Sequence, residues 1–358
     1  MAYADRPSPL ARYLLVAYAL LIAYASLNPF AGWREPGISL FAFLVAPMPR
    51  YIDSIDIIAN IAAYFPMGLL LILALHPRWR GLHALVIAML ATVAMSFSLE
   101  ALQHYLPSRI PSNLDLLANS LGGLIGAVAG SGLANRLLRD NGLQAVCYRL
   151  FRDGARIDFG MMLLGLWLVS LLYPGTSLFG NGDLRAVFSE PGAELHPTEL
   201  FIRFEALIVG ANTVAVGLLL ALLIERNQPV RGLFLALLVA ALCVRSISYG
   251  LLFSSQRFFD WLTPGASLGL VGGVLLVMVM VMFSRGALVV LCGVALMTAT
   301  ALVNYAPVNP YFLAALSIWN QGHFLNFNGF TRVLSAAWPF AALIYILALS
   351  VSRNRDRD

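Results

Sequence analysis

The chain has 358 residues, of which 60% are hydrophobic and 11% are charged, and its mean hydropathy is +0.80. Soluble domains carry about 25% charged residues, so this composition excludes a soluble globular protein. The net charge of +5 comes from arginine alone, because the sequence contains no lysine. We expect no nucleic-acid partner, since the arginines lie where membrane topology would place them.

Apolar runs of about 20 residues, long enough for a helix to cross a bilayer, recur along the chain. They predict an all-α polytopic integral membrane protein with about ten transmembrane helices. The spans are expected at residues 10–27, 56–75, 82–104, 114–135, 157–173, 200–224, 232–252, 265–284, 287–304 and 332–350. The first run follows Arg6 and Arg12 directly and lacks a small-residue cleavage site, so we expect a retained helix.

Arginine is concentrated before the first span, in alternate connections and after the last span. Because cytoplasmic loops carry the excess of basic residues, we predict that the N- and C-termini are both cytoplasmic. The expected location is the bacterial cell (inner) membrane, as a multi-pass protein. The connections on the outer side, at 28–55, 174–199 and 305–331, hold much of the polar and aromatic sequence, which indicates an outward-facing function.

One phrase occurs twice in the first third of the chain, as RYIDSIDIIAN at 50–60 and RIPSNLDLLAN at 109–119. Each copy places an arginine before a hydrophobic helix, an aspartate at its first turn, and an asparagine four residues later on the same face. The three pairs are Arg50 and Arg109, Asp56 and Asp115, and Asn60 and Asn119. Such polar groups are costly at a membrane helix entrance unless they have partners.

The third predicted span ends with a further polar face, because Glu100, Gln103 and His104 are spaced i, i+3 and i+4. The predicted topology brings this end to the same membrane depth as the starts of the second and fourth spans. We therefore predict an outward-facing polar pocket whose ligand-binding candidates are Arg50, Asp56, Asn60, Glu100, Gln103, Arg109, Asp115 and Asn119. Asp53 and His104 are possible additions.

A purely structural interpretation is the alternative. The two aspartates could be helix N-caps, the two asparagines could be interhelical hydrogen-bonding groups, and the two arginines could be counter-ions of the aspartates. Gly122, Gly123, Gly126 and Gly130 favour close helix packing over ligand contact. Glu100 fits this interpretation least, because it lies near a helix C-terminus, where the helix dipole disfavours an anion.

The second half of the chain contains one deeply placed cation, Arg245, for which we predict Glu205 as the partner, with Arg203 in competition. A weak repeat at a shift of about 150 residues aligns GLLLILAL (68–75) with GLLLALLI (217–224) and Gly122-Gly123 with Gly272-Gly273. We expect a four-helix membrane module at 1–140 and an additional six-helix region at 150–358. That region is either a degenerate repeat of the first or an unrelated addition.

No metal site or cofactor is expected. The scattered Cys147, Cys243 and Cys292 show no metal-ligand spacing, and no paired-histidine motif supports an oxygen-rich site at Glu100, His104, Asp115 and Asp56. The sequence also contains no phosphate-binding glycine loop, dinucleotide fingerprint or Ser-His-Asp pattern.

The motifs D-x3-N-x5-P-x-G (Asp56, Asn60, Pro66, Gly68), E-x2-Q (Glu100, Gln103) and R-x5-D-x3-N-x2-G (Arg109, Asp115, Asn119, Gly122) resemble the VanZ-like family over residues 10–135. The family is named for a protein that gives low-level resistance to the glycopeptide teicoplanin. The resemblance therefore implies a cell-envelope membrane protein, linked to glycopeptide resistance or envelope polysaccharide metabolism. The six further helices depart from the short family type.

Three functions fit these residues, and whether the protein is an enzyme stays open. The first is a binding or accessory protein that holds a membrane lipid or lipid-linked glycan, with arginine on phosphate and the Asp, Asn and Gln side chains on hydroxyls and amides. The second is a membrane-embedded enzyme that uses Glu100, Asp56 or Asp115 as acid or base on a lipid head group. The third is a proton-coupled transporter, which the apolar inner halves of the second to fourth spans disfavour. Protein partners and oligomeric state are not predicted.

Overall fold

The computed structural model describes residues 9–28, 30–37, 39–47, 54–137, 150–151, 155–173, 175–185, 197–225, 227–252, 258–307, 309 and 325–355. Within these ranges the regular structure is helical, and no β-strand occurs. The helices are α1 Pro9–Leu27, α2 Ala42–Val45, α3 Ser54–Leu75, α4 Gly81–Gln103, α5 Asn113–Leu137, α6 Ala155–Ser170, α7 Thr198–Leu223, α8 Val230–Leu252, α9 Pro264–Met280, α10 Arg285–Tyr305 and α11 Leu325–Arg355.

Eight helices of the described chain are long and apolar enough to cross a membrane, namely α1, α3, α4, α5, α7, α8, α10 and α11. The predicted fifth and eighth spans are present as the shorter helices α6, with 16 residues, and α9, with 17 residues. The prediction of an all-α, multi-pass membrane protein is confirmed, with eight full-length candidate spans rather than ten. The orientation of the termini stays a prediction.

The chain divides into two compact units, Met1–Asp158 and Phe159–Asp358. In the first unit, α3 and α5 approach each other through glycines. A methyl group added to Gly122, Gly126 or Gly130 would meet Ile61, Phe65 or Leu69 of α3 respectively. Because these partners advance together along both helices, α3 and α5 run parallel. Glycine permits this close approach, as is usual between membrane helices.

Helix α4 runs antiparallel to α5, since Ser96 contacts Asn119 while the later residue Glu100 contacts the earlier residue Ser112. The start of α3, the end of α4 and the start of α5 therefore lie at one end of the first unit. The short helix α2 lies at the same end, where the side-chain amide of Asn113 donates to the carbonyl of Ala46 at 2.7 Å. This arrangement collects the polar residues of three helices in one place.

The second unit is built around α7, which is apolar on all sides and almost fully buried from Ile208 to Leu223. Such a helix is typical of the centre of a bundle. Helix α9 packs along it in the same direction. Methyl groups added to Gly265, Gly269 and Gly273 would meet Ile202, Ala206 and Gly210 in turn. The glycine-mediated parallel pair of the first unit thus has a counterpart here, whereas a duplication of the chain stays a prediction.

Candidate functional site

The polar residues at the common end of α3, α4 and α5 form layers, because each helix repeats its facing position every four residues. The outer layer contains Asn60 of α3, Glu100 of α4 and Asp115 of α5. The Asn60 side-chain amide donates to Asp115 Oδ1 at 2.9 Å. Asp56 is exposed, and its negative charge acts on Asp115. Three carboxylates therefore lie at this end of the unit.

The second layer lies one helical turn deeper and contains Tyr64, Ser96 and Asn119, all of which are buried. The Asn119 side-chain amide donates to Ser96 Oγ at 3.0 Å, and the Tyr64 hydroxyl lies beside Ser96. Asn119 Oδ1 is buried and accepts no hydrogen bond from the residues that the structure describes. We call these two layers, with their six residues, the polar stack.

The third layer closes the polar stack with Gly68, Thr92 and Gly123. A methyl group added to Gly68 would meet the Gly123 carbonyl, and one added to Gly123 would meet the Thr92 side chain. The Thr92 hydroxyl donates to the carbonyl of Ala88 in its own helix at 2.8 Å. The polar stack therefore ends against tightly packed backbone, two turns below the helix ends.

Glu100 is the most enclosed acid of the polar stack, at 4% exposure. Its Oε2 accepts a hydrogen bond from the main-chain N–H of Ser112 at 2.9 Å. Although Glu100 lies near the C-terminus of its own helix, it therefore also faces the N-terminus of α5, where the helix dipole favours an anion. Its charged neighbours are Asp115, which repels the carboxylate, and Arg109, which attracts it.

Ser112, and not Asp115, is the N-cap of α5. Its hydroxyl accepts from the main-chain N–H groups of Leu114 at 3.2 Å and Asp115 at 3.3 Å. The interpretation of Asp115 as a plain N-cap is therefore wrong, because the hydroxyl three residues earlier already satisfies these groups. The Asp115 carboxylate is left to face Asn60.

Two of the predicted site residues hold the C-terminal end of α1. Arg109 donates to the carbonyls of Ala25 at 3.3 Å and Asn28 at 3.0 Å, and Gln103 donates to that of Ser26 at 2.8 Å. Basic and amide side chains commonly satisfy the last carbonyls of a helix in this way. Burial lowers the pKa of Arg109, whereas the charge of Glu100 raises it.

The structure brings together Asn60, Glu100, Asp115 and Asn119, with Asp56 at the margin and Gln103 and Arg109 turned toward α1. Arg50 and Asp53 lie outside the described residues. Sequence reasoning missed Tyr64 and Ser96, although Tyr64 follows Asn60 by four residues and Ser96 precedes Glu100 by four. Extending each motif by one turn along its helix face would have found both.

Arg245 in the second unit is 1% exposed and binds main-chain carbonyls. Its guanidinium donates to Leu171, Tyr173 and Thr176, which follow the end of α6, and it lies 5.0 Å from the ring centre of Tyr249. A cation is favourable at a helix C-terminus. This arrangement makes Arg245 a structural anchor.

The predicted partner Glu205 does attract Arg245, but it accepts a hydrogen bond from the Thr263 hydroxyl at 2.5 Å, and Thr263 in turn accepts one from the main-chain N–H of Ala266. Thr263 is also the N-cap of α9. The predicted competitor Arg203 is exposed. Glu205 thus joins α7 to the start of α9, in the way that Glu100 joins α4 to the start of α5.

No group of three or more His, Cys, Asp or Glu side chains in the described part of the chain is arranged to hold a metal ion.

The helices and the polar stack define the class, a multi-pass helical membrane protein that buries carboxylate and carboxamide groups among three helices of its first unit. Residues 11–134 match the family model VanZ/LLP1, and this range, which we call the VanZ-like domain for that similarity, contains the whole polar stack. The six helices α6 to α11 follow this domain. Neither a curated protein nor a solved structure matches the chain.

Proposed function

We propose that the VanZ-like domain binds the polar head group of a membrane amphiphile, a lipid-linked or glycan-like molecule, at the polar stack. The observation that carries this proposal is the enclosed Glu100. A carboxylate within membrane helices is costly and marks a site by default. Its donor in the described chain is one main-chain N–H, and Asp115 repels it. A ligand with hydroxyl or N–H groups would offset that cost.

The proposed location is the outer side of a bacterial cell membrane, on the basis of the arginine distribution. An amphiphile could place its head group against α3, α4 and α5 while its chains stay in the bilayer. The exposed apolar residues of these helices, among them Ile58, Leu102 and Leu117, provide a surface that suits acyl chains. An envelope lipid therefore fits both the polar end and the apolar flank of the domain.

The test is native mass spectrometry with lipidomics on the purified full chain. Wild-type protein should retain a distinct amphiphile, and Glu100→Gln should lose most of it, because the substitution removes the charge and leaves the shape almost unchanged. Ser98→Ala is the matched control, since Ser98 lies on the exposed face of the same helix. If wild type and Glu100→Gln retain the same lipids in the same amounts, the proposal is wrong.

A second candidate is an enzyme acting on the same head group, and the proximity of like charges favours it. Asp56 acts on Asp115, and Asp115 acts on Glu100. Neighbouring carboxylates of this kind can share protons and serve as acid and base. If the protein is an enzyme, Glu100→Gln should retain the amphiphile but no longer convert it. If it is a binding protein, Glu100→Gln should lose the amphiphile, and neither wild type nor the variant should form a product.

The third candidate, a proton-coupled transporter, is less favoured. A transport path needs polar groups across the membrane, and the polar stack ends at the glycine layer of Gly68 and Gly123. The resistance phenotype implied by the family name stays a prediction. Its test is the teicoplanin susceptibility of a host with and without the protein.

A further inference from the structure

Two buried polar atoms in the VanZ-like domain form no hydrogen bond with the residues that the structure describes. They are Nε of Arg109, which can only donate, and Oδ1 of Asn119, which can only accept. Asn119 is 6% exposed, and its amide nitrogen donates to Ser96, so its side chain is fixed in the second layer of the polar stack. Buried polar groups are normally paired, so these atoms indicate an occupant that has both an acceptor and a donor.

Arg109 keeps its Nε available although another part of its guanidinium is engaged. A terminal nitrogen donates to the carbonyls of Ala25 and Asn28. The charges of Arg109 and Glu100 attract each other. Glu100 accepts one hydrogen bond, from Ser112 to Oε2, and a carboxylate can accept more than one. A donor and an acceptor therefore both have hydrogen-bonding capacity left at the outer end of the polar stack.

These remaining capacities decide among the common polar groups of membrane lipids. An ionised phosphate diester would accept from Arg109 Nε, but it brings no hydrogen for Asn119 Oδ1, and Glu100 would repel it. A primary ammonium group would donate to Glu100 and Asn119, but it has no acceptor for Arg109 Nε, and the guanidinium would repel it. A hydroxyl group donates, accepts and carries no charge, so it suits all three residues.

The number of hydroxyl groups follows from their hydrogens. One hydroxyl has a single hydrogen to donate, and Glu100 and Asn119 can each accept one, so at least two hydroxyls are needed. The two layers are four residues apart on each helix, which is about 6 Å along the axis. A polyol or a sugar ring spans this distance. Neighbouring side chains cover both unpaired atoms, so binding would include a displacement of that cover.

We propose that the head group bound at the polar stack is a polyol, with one hydroxyl between Arg109 Nε and Glu100 and a second hydroxyl on Asn119 Oδ1. This inference rests on the proposed function and narrows its ligand to head groups of the glycerol and sugar type. The same hydroxyl chemistry occurs in lipid head groups and in free sugars, and the test distinguishes these two sources.

The test uses the full chain in nanodiscs that contain phosphatidylglycerol, phosphatidylpropanol and phosphatidylethanolamine in equal amounts with identical acyl chains. Phosphatidylpropanol is the matched ligand control, because it keeps the phosphate and the carbon chain of the glycerol head group and lacks only its hydroxyls. Native mass spectrometry should show wild type retaining phosphatidylglycerol over phosphatidylpropanol by about tenfold, the factor for one hydrogen bond to a charged group. Phosphatidylethanolamine should also be retained less than phosphatidylglycerol.

Two variants test the assigned atoms. Arg109→Lys keeps the positive charge but has no Nε, and it should reduce the preference for phosphatidylglycerol to about threefold. Asn119→Leu removes the deeper acceptor at similar size and should reduce the preference by a similar factor. Ser98→Ala, on the exposed face of α4, is the control and should keep the full preference. If Asn119→Leu fails to fold, the wild-type ratio and Arg109→Lys decide.

The ratio of two lipids on one protein sample also separates binding from stability. A purely structural role of Arg109 or Asn119 would lower the unfolding temperature of the variant and leave the ratio unchanged. Glucose added to phosphatidylpropanol nanodiscs distinguishes the sources of the hydroxyls. Glucose binding that Arg109→Lys weakens supports a sugar as the ligand, whereas retention of phosphatidylglycerol without glucose binding supports a polyol carried by a lipid.

The failure of this inference differs from the failure of the proposed function. If wild type retains lipid but holds phosphatidylglycerol and phosphatidylpropanol equally, or prefers phosphatidylethanolamine, the polyol inference is overturned and the head-group site stands. The same conclusion follows if both variants keep the wild-type ratio. If wild type retains no lipid beyond what Glu100→Gln retains, the proposed function itself is overturned.

Discussion

At the scale of single residues, contacts decide between the alternatives that spacing leaves open. Asp115 and Ser112 are both good N-cap residues three positions apart, and the hydroxyl of Ser112 is the group that caps α5. Arg109 and Glu100 are both isolated charges in an apolar sequence. A terminal nitrogen of Arg109 donates to carbonyls at the end of α1, whereas Glu100 has a single main-chain donor and an acidic neighbour. Glu100 therefore carries the functional hypothesis.

Arg245→Met should lower the free energy of unfolding by about 3 kcal/mol or more. The substitution leaves the carbonyls of Leu171, Tyr173 and Thr176 without their cationic donor, and it leaves Glu205 without its attracting charge. Unfolding in detergent, followed by circular dichroism, measures the change. Arg231→Met, at an exposed position in the same helix, is the control and should change stability by less than about 0.5 kcal/mol. Equal effects of the two variants would contradict the anchor role of Arg245.

At the scale of elements, parallel helix pairs joined by glycine organise both units. The sequence predicts close packing from the spacing of Gly122, Gly126 and Gly130, and the structure identifies their partner as α3. Helix α4 lies between α3 and α5 in the sequence and runs antiparallel to both. The start of α3, the end of α4 and the start of α5 therefore lie together. The polar stack is a consequence of this arrangement, because facing positions repeat on each helix every four residues.

Gly126→Ala should destabilise the VanZ-like domain by about 1–3 kcal/mol, because the added methyl group would collide with the main chain of Phe65. Gly132→Ala is the matched control in the same helix, where an added methyl group meets nothing within 4 Å. That control should be neutral or stabilise the helix by up to about 1 kcal/mol, as expected for alanine in a helix. Thermal unfolding in detergent separates the two. A control as damaging as Gly126→Ala would contradict the packing explanation.

At the scale of the whole molecule, the VanZ-like domain accounts for residues 11–134, and a longer helical region follows it. In that region the buried helix α7 is central, and Glu205 links it to the start of α9.

The predicted orientation places the polar stack outside the cell, and cysteine labelling tests it. In a background with Cys147, Cys243 and Cys292 replaced by serine, Ser108→Cys lies in the exposed connection between α4 and α5. A membrane-impermeant maleimide should label it in intact cells. Trp79→Cys, in the exposed connection at the other end of α4, should react only after permeabilisation, because arginines at this end predict a cytoplasmic location. The reverse pattern would place the polar stack in the cytoplasm and contradict the envelope proposal.

The sequence by itself determined the class of the protein, the approximate positions of the helices and the VanZ-like motifs, because hydropathy and residue spacing are local properties of the chain. It also predicted that Asn60, Glu100, Asp115 and Asn119 would share one membrane depth. Only the tertiary structure decided that Ser112 caps α5, that Arg109 and Arg245 bind carbonyls, and that Tyr64 and Ser96 complete the second layer. Hydrogen bonds between helices depend on which faces meet, and that is set by glycine packing across the unit rather than by the pattern within any one helix.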